Sequence, residues 1–178
     1  MLEHQGDVVR RLSAAHRPAH RPARGLTLIE LMVGLAVLAV LVAAGAPFMG
    51  DMVVNSRLRE SGNLLYTEAM MAQSEAIKRN TVVRLTAPAA DTVRVHDMTD
   101  AASPVLLRER TLPVGATLPT TTSFTFGPEG RPEPFGTAVA VDVGLAGGSC
   151  SDDLRCPGLR IDAGGAVRLC SNKLVSCP

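Results

Sequence analysis

One carboxylate stands alone in a long apolar stretch, and its placement is the first chemistry that this sequence offers. Glu30 follows Gly25-Leu26-Thr27-Leu28-Ile29 and precedes Leu31 to Gly50, a run without a charged residue. A bare charge near the middle of a bilayer helix is disfavoured by roughly 2.5 to 3.5 kcal/mol on insertion scales. Glu30 therefore calls for a cationic partner if the stretch enters a membrane.

The second set of reactive groups is the four cysteines Cys150, Cys156, Cys170 and Cys177. Their spacings, Cys-x5-Cys and Cys-x6-Cys, are wider than the usual zinc knuckles, and disulfides suit an exported segment. Sequence does not choose among the three connectivities. The local pairs Cys150 with Cys156 and Cys170 with Cys177 are favoured, and closure of a hairpin by Cys156 with Cys170 is the alternative.

Other candidates carry less chemistry. His96 is the one histidine outside the first 25 residues and stands in a predicted strand with no nucleophile motif nearby, so it reads as an ordinary strand residue. His4, His16 and His20 can be read as a metal-binding cluster, but a solvated N-terminal stretch is the favoured reading. Ser151-Asp152-Asp153 supplies oxygens for calcium but no complete cage. No metal, cofactor or catalytic constellation is expected, and the chain is not expected to be an enzyme.

The elements that position these groups follow from periodicity. Leu26 to Met49 rises about 1.5 Å per residue as a helix, long enough for a hydrocarbon core of about 30 Å. The preceding Arg17-Pro18-Ala19-His20-Arg21-Pro22-Ala23-Arg24 is basic and helix-averse, which keeps that side cytoplasmic by the positive-inside tendency. An ordinary secretory signal would have a shorter apolar region and would leave Glu30 unexplained. Pro47 predicts a kink or local loosening.

After Asp51 the pattern turns amphipathic. Val54, Leu58, Leu65, Ala69, Ala72 and Ala76 recur at helical spacings, with Arg57, Glu60, Asn63, Glu68 and Lys78 assigned to the other face. Beyond Asn80 come short β-type runs: Thr81-Leu85, Thr92-His96, Val105-Leu112, Thr121-Phe126, Thr137-Val143, Leu159-Asp162 and Val167-Cys170. Breakers are read at Ala87-Pro88, Asp97 to Pro104, Leu112 to Gly115, Gly127 to Gly136 and Gly144 to Ser149. Asp162 to Ala166 reads as a tight hairpin turn. The expected fold is α+β: a long N-terminal helix, membrane-embedded in its first half, packed through its second half on an antiparallel sheet.

The N-terminal pattern resembles the class III signal of type IV pilins and type II secretion pseudopilins: a basic leader ending in Gly25, then Leu26-Thr27-Leu28-Ile29-Glu30 and an apolar helix. The resemblance implies that prepilin peptidase cuts after Gly25 and methylates the new amino terminus at Leu26. Glu30 would pair with the amino terminus of a neighbouring subunit during assembly. Leu26 stands where Phe is most common in the family. Asn55-Ser56-Arg57-Leu58-Arg59 and Ala72 to Asn80 resemble the GspH/FimT branch of minor pilins and minor pseudopilins.

The implied organisation is a leader over 1–25, a transmembrane and assembly helix over 26–50, its amphipathic continuation over 51–80 and a β-rich periplasmic domain over 81–178 with two disulfides. The implied location is the bacterial inner membrane, crossed once with a cytoplasmic N-terminus, and then a pilus or pseudopilus. The implied partners are other pilins or pseudopilins, prepilin peptidase and the inner-membrane assembly platform.

Two properties bear on other functions. Five arginines against Glu3 and Asp7 make residues 1–25 +3, so the whole-chain +1 leaves the remainder at −2. One Tyr, four Phe and no Trp exclude a stacked aromatic platform for nucleic acid. DNA capture in related fimbrial pilins is linked to a C-terminal Gly-Arg-x-Arg pattern, which here reads Gly165-Ala166-Val167-Arg168. Arg168, Arg160, Arg155 and Lys173 remain as candidate phosphate contacts, opposed by the acidic balance.

Overall fold

The computed structural model describes residues 25–174, without the side chains of 46–48. The Cys177 and leader-histidine expectations lie outside the described residues. The chain divides into two units, 1–43 and 44–178, and helix α1 (Leu28–Arg79) runs through both.

In the first unit, α1 begins with a side-chain N-cap. Thr27 is the N-cap: its Oγ1 accepts the Glu30 backbone N–H at 3.3 Å, and its carbonyl accepts the Leu31 N–H at 3.1 Å. Glu30 thus lies in the first turn, where the helix dipole favours a carboxylate. From Leu28 to Gly45 no residue is buried, and the segment is long and apolar enough to cross a membrane.

The second unit holds the core. Leu58, Leu65, Ala69, Ala72 and Ala76 are buried along one face of α1, while Val54 is half-buried. Small residues on that face let the sheets approach closely, and at Gly62 a Cβ would sit 2.6 Å from Pro157 Cγ. The helix ends in a Schellman motif. Asn80 takes a left-handed φ of 53°, Thr81 N–H reaches Ala76 O at 3.1 Å, and Asn80 N–H reaches Ile77 O at 3.3 Å.

The helix packs on antiparallel sheet as expected, and among the described residues that sheet is divided into three. The five-stranded sheet runs β3 (Val105–Thr111), β2 (Thr92–Asp97), β1 (Val83–Ala89), β5 (Ser123–Phe126) and β6 (Pro132–Glu133). The three-stranded sheet runs β10 (Val167–Cys170), β9 (Gly158–Ile161) and β7 (Val139–Asp142), and β4 (Ala116–Thr117) pairs with β8 (Gly144–Leu145). Alternation places Val83, Leu85, Val93, Val95, Phe124 and Phe126 inward against α1 residues in one core that also takes Val141, Leu159 and Ile161.

Other expectations change: the stretches read as breakers at Gly127 to Gly136 and Gly144 to Ser149 hold the short strands β6 and β8. Ala87-Pro88 does not break the strand: β1 continues to Ala89, with its register shifting between Thr86 and Ala89. Such a bulge accommodates a proline that cannot donate to the ladder. Glu68 does not face away: its side chain is 3% exposed and lies 3.1 Å from Arg108 Nε. The β2–β3 register pairs Arg108 with Val95 and Arg110 with Val93, so both arginines share the inward face of an edge strand and meet the helix.

Candidate functional site

Among the predicted site residues, Gly25, Leu26 and Glu30 lie at the exposed start of the first unit. Leu26 is 75% exposed. Among the described residues, none lies within reach of a Cβ added at Gly25. A capped helix with a carboxylate in its first turn follows. Pro47 lies within α1, and its side chain is outside the description.

In the second unit, Cys150 and Cys156 form a disulfide with a Cα–Cα distance of 5.6 Å, as the local-pair expectation has it. Cys170 is disulfide-bonded too. The loop closed by Cys150 and Cys156 lies against α1. Asn55 Nδ2 donates to the Asp153 carbonyl at 2.6 Å, and Asn55 Oδ1 accepts the Arg155 N–H at 2.8 Å. Arg59 and Asn63, one and two turns further along the helix, line with Asp152, Asp153 and Arg155 a cleft of about 540 Å³.

The candidate phosphate contacts do not form one open patch. Arg168 lies directly opposite Arg160 in the β9–β10 ladder. Arg160 Nη1 is 2.8 Å from Asp142 Oδ1, and Arg168 Nη2 is 4.0 Å from Asp162 Oδ2, so each guanidinium meets a carboxylate. Arg155 is placed in the cleft beside Asp152 and Asp153, and the Lys173 N–H bonds the Cys156 carbonyl. The glycine of the altered pattern has a packing role: Gly165, at φ 92°, abuts the Gly130 carbonyl.

The remaining candidates are structural. The Ser151 hydroxyl accepts the Leu154 N–H at 3.0 Å, and the Asp153 carbonyl accepts from Asn55 Nδ2 at 2.6 Å. No group of three or more metal-ligating side chains converges among the described residues. Burial, then Arg94 and Arg84, lower the His96 pKa. That histidine is neutral at pH 7 in a wall of strand residues.

Sequence reasoning missed Gln73, whose Nε2 donates to the carbonyls of Gly130 and Gly165, both at 2.7 Å. Its half-buried place on the helix was readable from the 3.6-residue period, but its two acceptors come from distant turns. It also missed Glu68, since a lone carboxylate beside the apolar stripe carries no mark of its arginine partners.

A long N-terminal helix, apolar and exposed at its start and packed on antiparallel sheets through its remainder, defines a pilin-like protein. The family model for Type II transport protein GspH matches residues 61–165, and that for the prokaryotic N-terminal methylation motif matches residues 20–46. The chain belongs to the GspH family of minor pilins and pseudopilins, whose members assemble with other pilins or pseudopilins.

Two solved structures share the fold. The type IV minor pilin FimU of Pseudomonas aeruginosa is 18% identical, with a TM-score of 0.52, covering 64% of this chain and 88% of its own. The minor pseudopilin EpsH from the Type 2 Secretion System of Vibrio cholerae is 13% identical, with a TM-score of 0.52, covering 65% of this chain and 97% of its own. No curated protein matches the sequence significantly.

Proposed function

We propose that this chain is a minor type IV pilin, cut by prepilin peptidase after Gly25, methylated at Leu26 and incorporated into a pilus through its N-terminal helix. The observation that carries the reading is the exposed apolar start of α1, with Glu30 in its capped first turn, inside a matched methylation motif. The new amino terminus at Leu26 would be a cation, and a neighbouring subunit's Glu30 would supply its counter-charge in an apolar setting. The chain acts as a building block rather than an enzyme. It resides in the inner membrane with its second unit periplasmic, and its partners include the assembly platform.

A minor pseudopilin of a type II secretion system is the second reading, favoured by the description of the matching family. The Asn55 and Ala72 to Asn80 stretches favour the pilus. A DNA-binding competence pilin is the reading of another class, and the carboxylates facing Arg160 and Arg168 weigh against it.

Gly25→Ala is expected to retain the leader, seen as a higher mass, and Glu30→Val to be processed normally but absent from filaments sheared from cells. Normal processing of the Gly25 variant would overturn the cleavage assignment. Presence of the wild-type chain in sheared surface filaments, with secretion unaffected by its deletion, separates pilus from secretion system.

A further inference from the structure

The helix residue Asn55 makes a contact that assembly through the N-terminal segment does not use. Its carboxamide presents one donor and one acceptor to the loop, as a peptide group does in a β-ladder: Nδ2 to the Asp153 carbonyl and Oδ1 to the Arg155 N–H. Between those two residues Leu154 is turned back on Ser151, with Ser151 N–H to Leu154 O at 3.0 Å and Leu154 N–H to Ser151 Oγ at 3.0 Å. The Cys150–Cys156 disulfide closes the base of the loop. Two turns further along the same helix face, Gly62 lets Pro157 lie against the backbone.

The loop is therefore shaped from within and held on the helix from outside. Its exposed charges Asp152, Asp153 and Arg155 form one wall of the cleft, and Arg59 and Asn63 form the other. Loss of the Asn55 contact leaves the loop closed but free to leave the helix, and the cleft loses that wall.

We infer that Asn55 is the positioning residue of the 150–156 loop: its carboxamide, acting as a surrogate peptide group, fixes the disulfide-closed loop on α1 and sets where the loop's charges are presented. The inference concerns how this surface is built and stands apart from the choice between pilus and secretion system.

The test uses the full chain in detergent micelles, with amide exchange and tryptic cleavage after Arg155 as readouts. Asn55→Ala is expected to lower protection of the Arg155 amide and to raise cleavage after Arg155, each by about tenfold, for two lost hydrogen bonds partly replaced by water. Protection in the β9–β10 ladder is expected to stay unchanged.

Asn55→Asp supplies a readout that a general packing role would not move. Near pH 7 its carboxylate still accepts the Arg155 N–H but has no donor and repels the Asp153 carbonyl, so the loop is released at Asp153 and protection of Arg155 falls partway toward the Asn55→Ala level. Below about pH 3 the protonated carboxyl regains one donor and one acceptor, and protection returns toward wild type at the same pH. The charged groups facing it are Arg59, Asp152, Asp153 and Arg155, which are common to all variants, so Asn55→Ala supplies the baseline. Unchanged protection in Asn55→Ala, no recovery of Asn55→Asp at low pH, or loss of the β9–β10 ladder in Asn55→Ala would each overturn the inference.

Discussion

Gly165 and Gly130 touch through their backbones: a Cβ at Gly165 would lie 2.4 Å from the Gly130 carbonyl oxygen. Gln73 bridges the two carbonyls, and both glycines adopt positive φ, 92° and 73°. The β9–β10 turn, the β5–β6 turn and the helix are joined at this one point. Gly165→Ala is expected to cost about 2–4 kcal/mol, because the clash is with backbone and the φ is strained for an L residue. Gly164→Ala, one residue away without positive φ, is expected to stay within about 1 kcal/mol. Denaturant unfolding of the two variants in micelles checks the contrast.

The Glu68 carboxylate offers a second comparison. Its Oε1 lies 3.1 Å from Arg108 and 3.7 Å from Arg110, while Oε2 is buried without a hydrogen-bond partner among the described residues. The arginines are 35% and 51% exposed, so water softens the loss. Glu68→Gln is expected to cost about 1–3 kcal/mol, with a coupling of about 1 kcal/mol to Arg108→Gln in a double-mutant cycle. Breaking the exposed Arg94–Glu109 pair is expected to cost under about 1 kcal/mol. Equal costs at the two pairs would contradict the role assigned to burial.

Acid sensitivity follows from Asp97. The Thr99 hydroxyl and backbone N–H, at 2.6 and 2.8 Å, hold its pKa below the ordinary carboxylate range, and Arg79 adds to the effect. A pKa depressed in the folded state adds stability above the unfolded value that is lost as pH falls through the folded one. Stability is therefore expected to decline below about pH 4, with a shallower decline in Asp97→Asn. Glu75, lowered chiefly by its hydrogen bond with Arg79, keeps part of the slope in that variant. Unfolding midpoints measured from pH 5 to 2 check both; an unchanged slope in Asp97→Asn would refute the assignment.

DNA retention is expected to be absent at physiological salt. Asp142 and Asp162 face Arg160 and Arg168, and phosphate binding would have to displace them. Asp142→Asn with Asp162→Asn is expected to raise any low-salt DNA shift, and a shift by wild type lost in Arg160→Ala would reverse the prediction.

Much of the architecture was legible because it is local. The run from Leu31 to Gly50, the amphipathic stripe and seven of the strand segments are written in neighbouring residues, whose period decides which side turns inward. The candidate assembly site, Gly25 to Glu30, was legible for the same reason, including a Thr27-x-x-Glu30 capping pattern that sequence analysis left unused. The two-residue strands β4, β6 and β8 were not legible, since so short a run carries no period.

The order of elements, the apolar segment, the Glu30 position and the family resemblance came from sequence alone, because each depends on residues within a few turns of one another. Tertiary structure alone decided what Glu68, Asn55, Gln73 and Gly165 do. Their partners stand far along the chain, at Arg108, Arg155, Gly130 and again Gly130, and each role exists because folding brings a matching donor, acceptor or charge to within hydrogen-bonding or contact distance. The charge on Arg160 and Arg168 was visible as an attraction for phosphate. Folding sets the Asp142 carboxylate 2.8 Å from Arg160 and the Asp162 carboxylate 4.0 Å from Arg168, so carboxylates stand beside that charge.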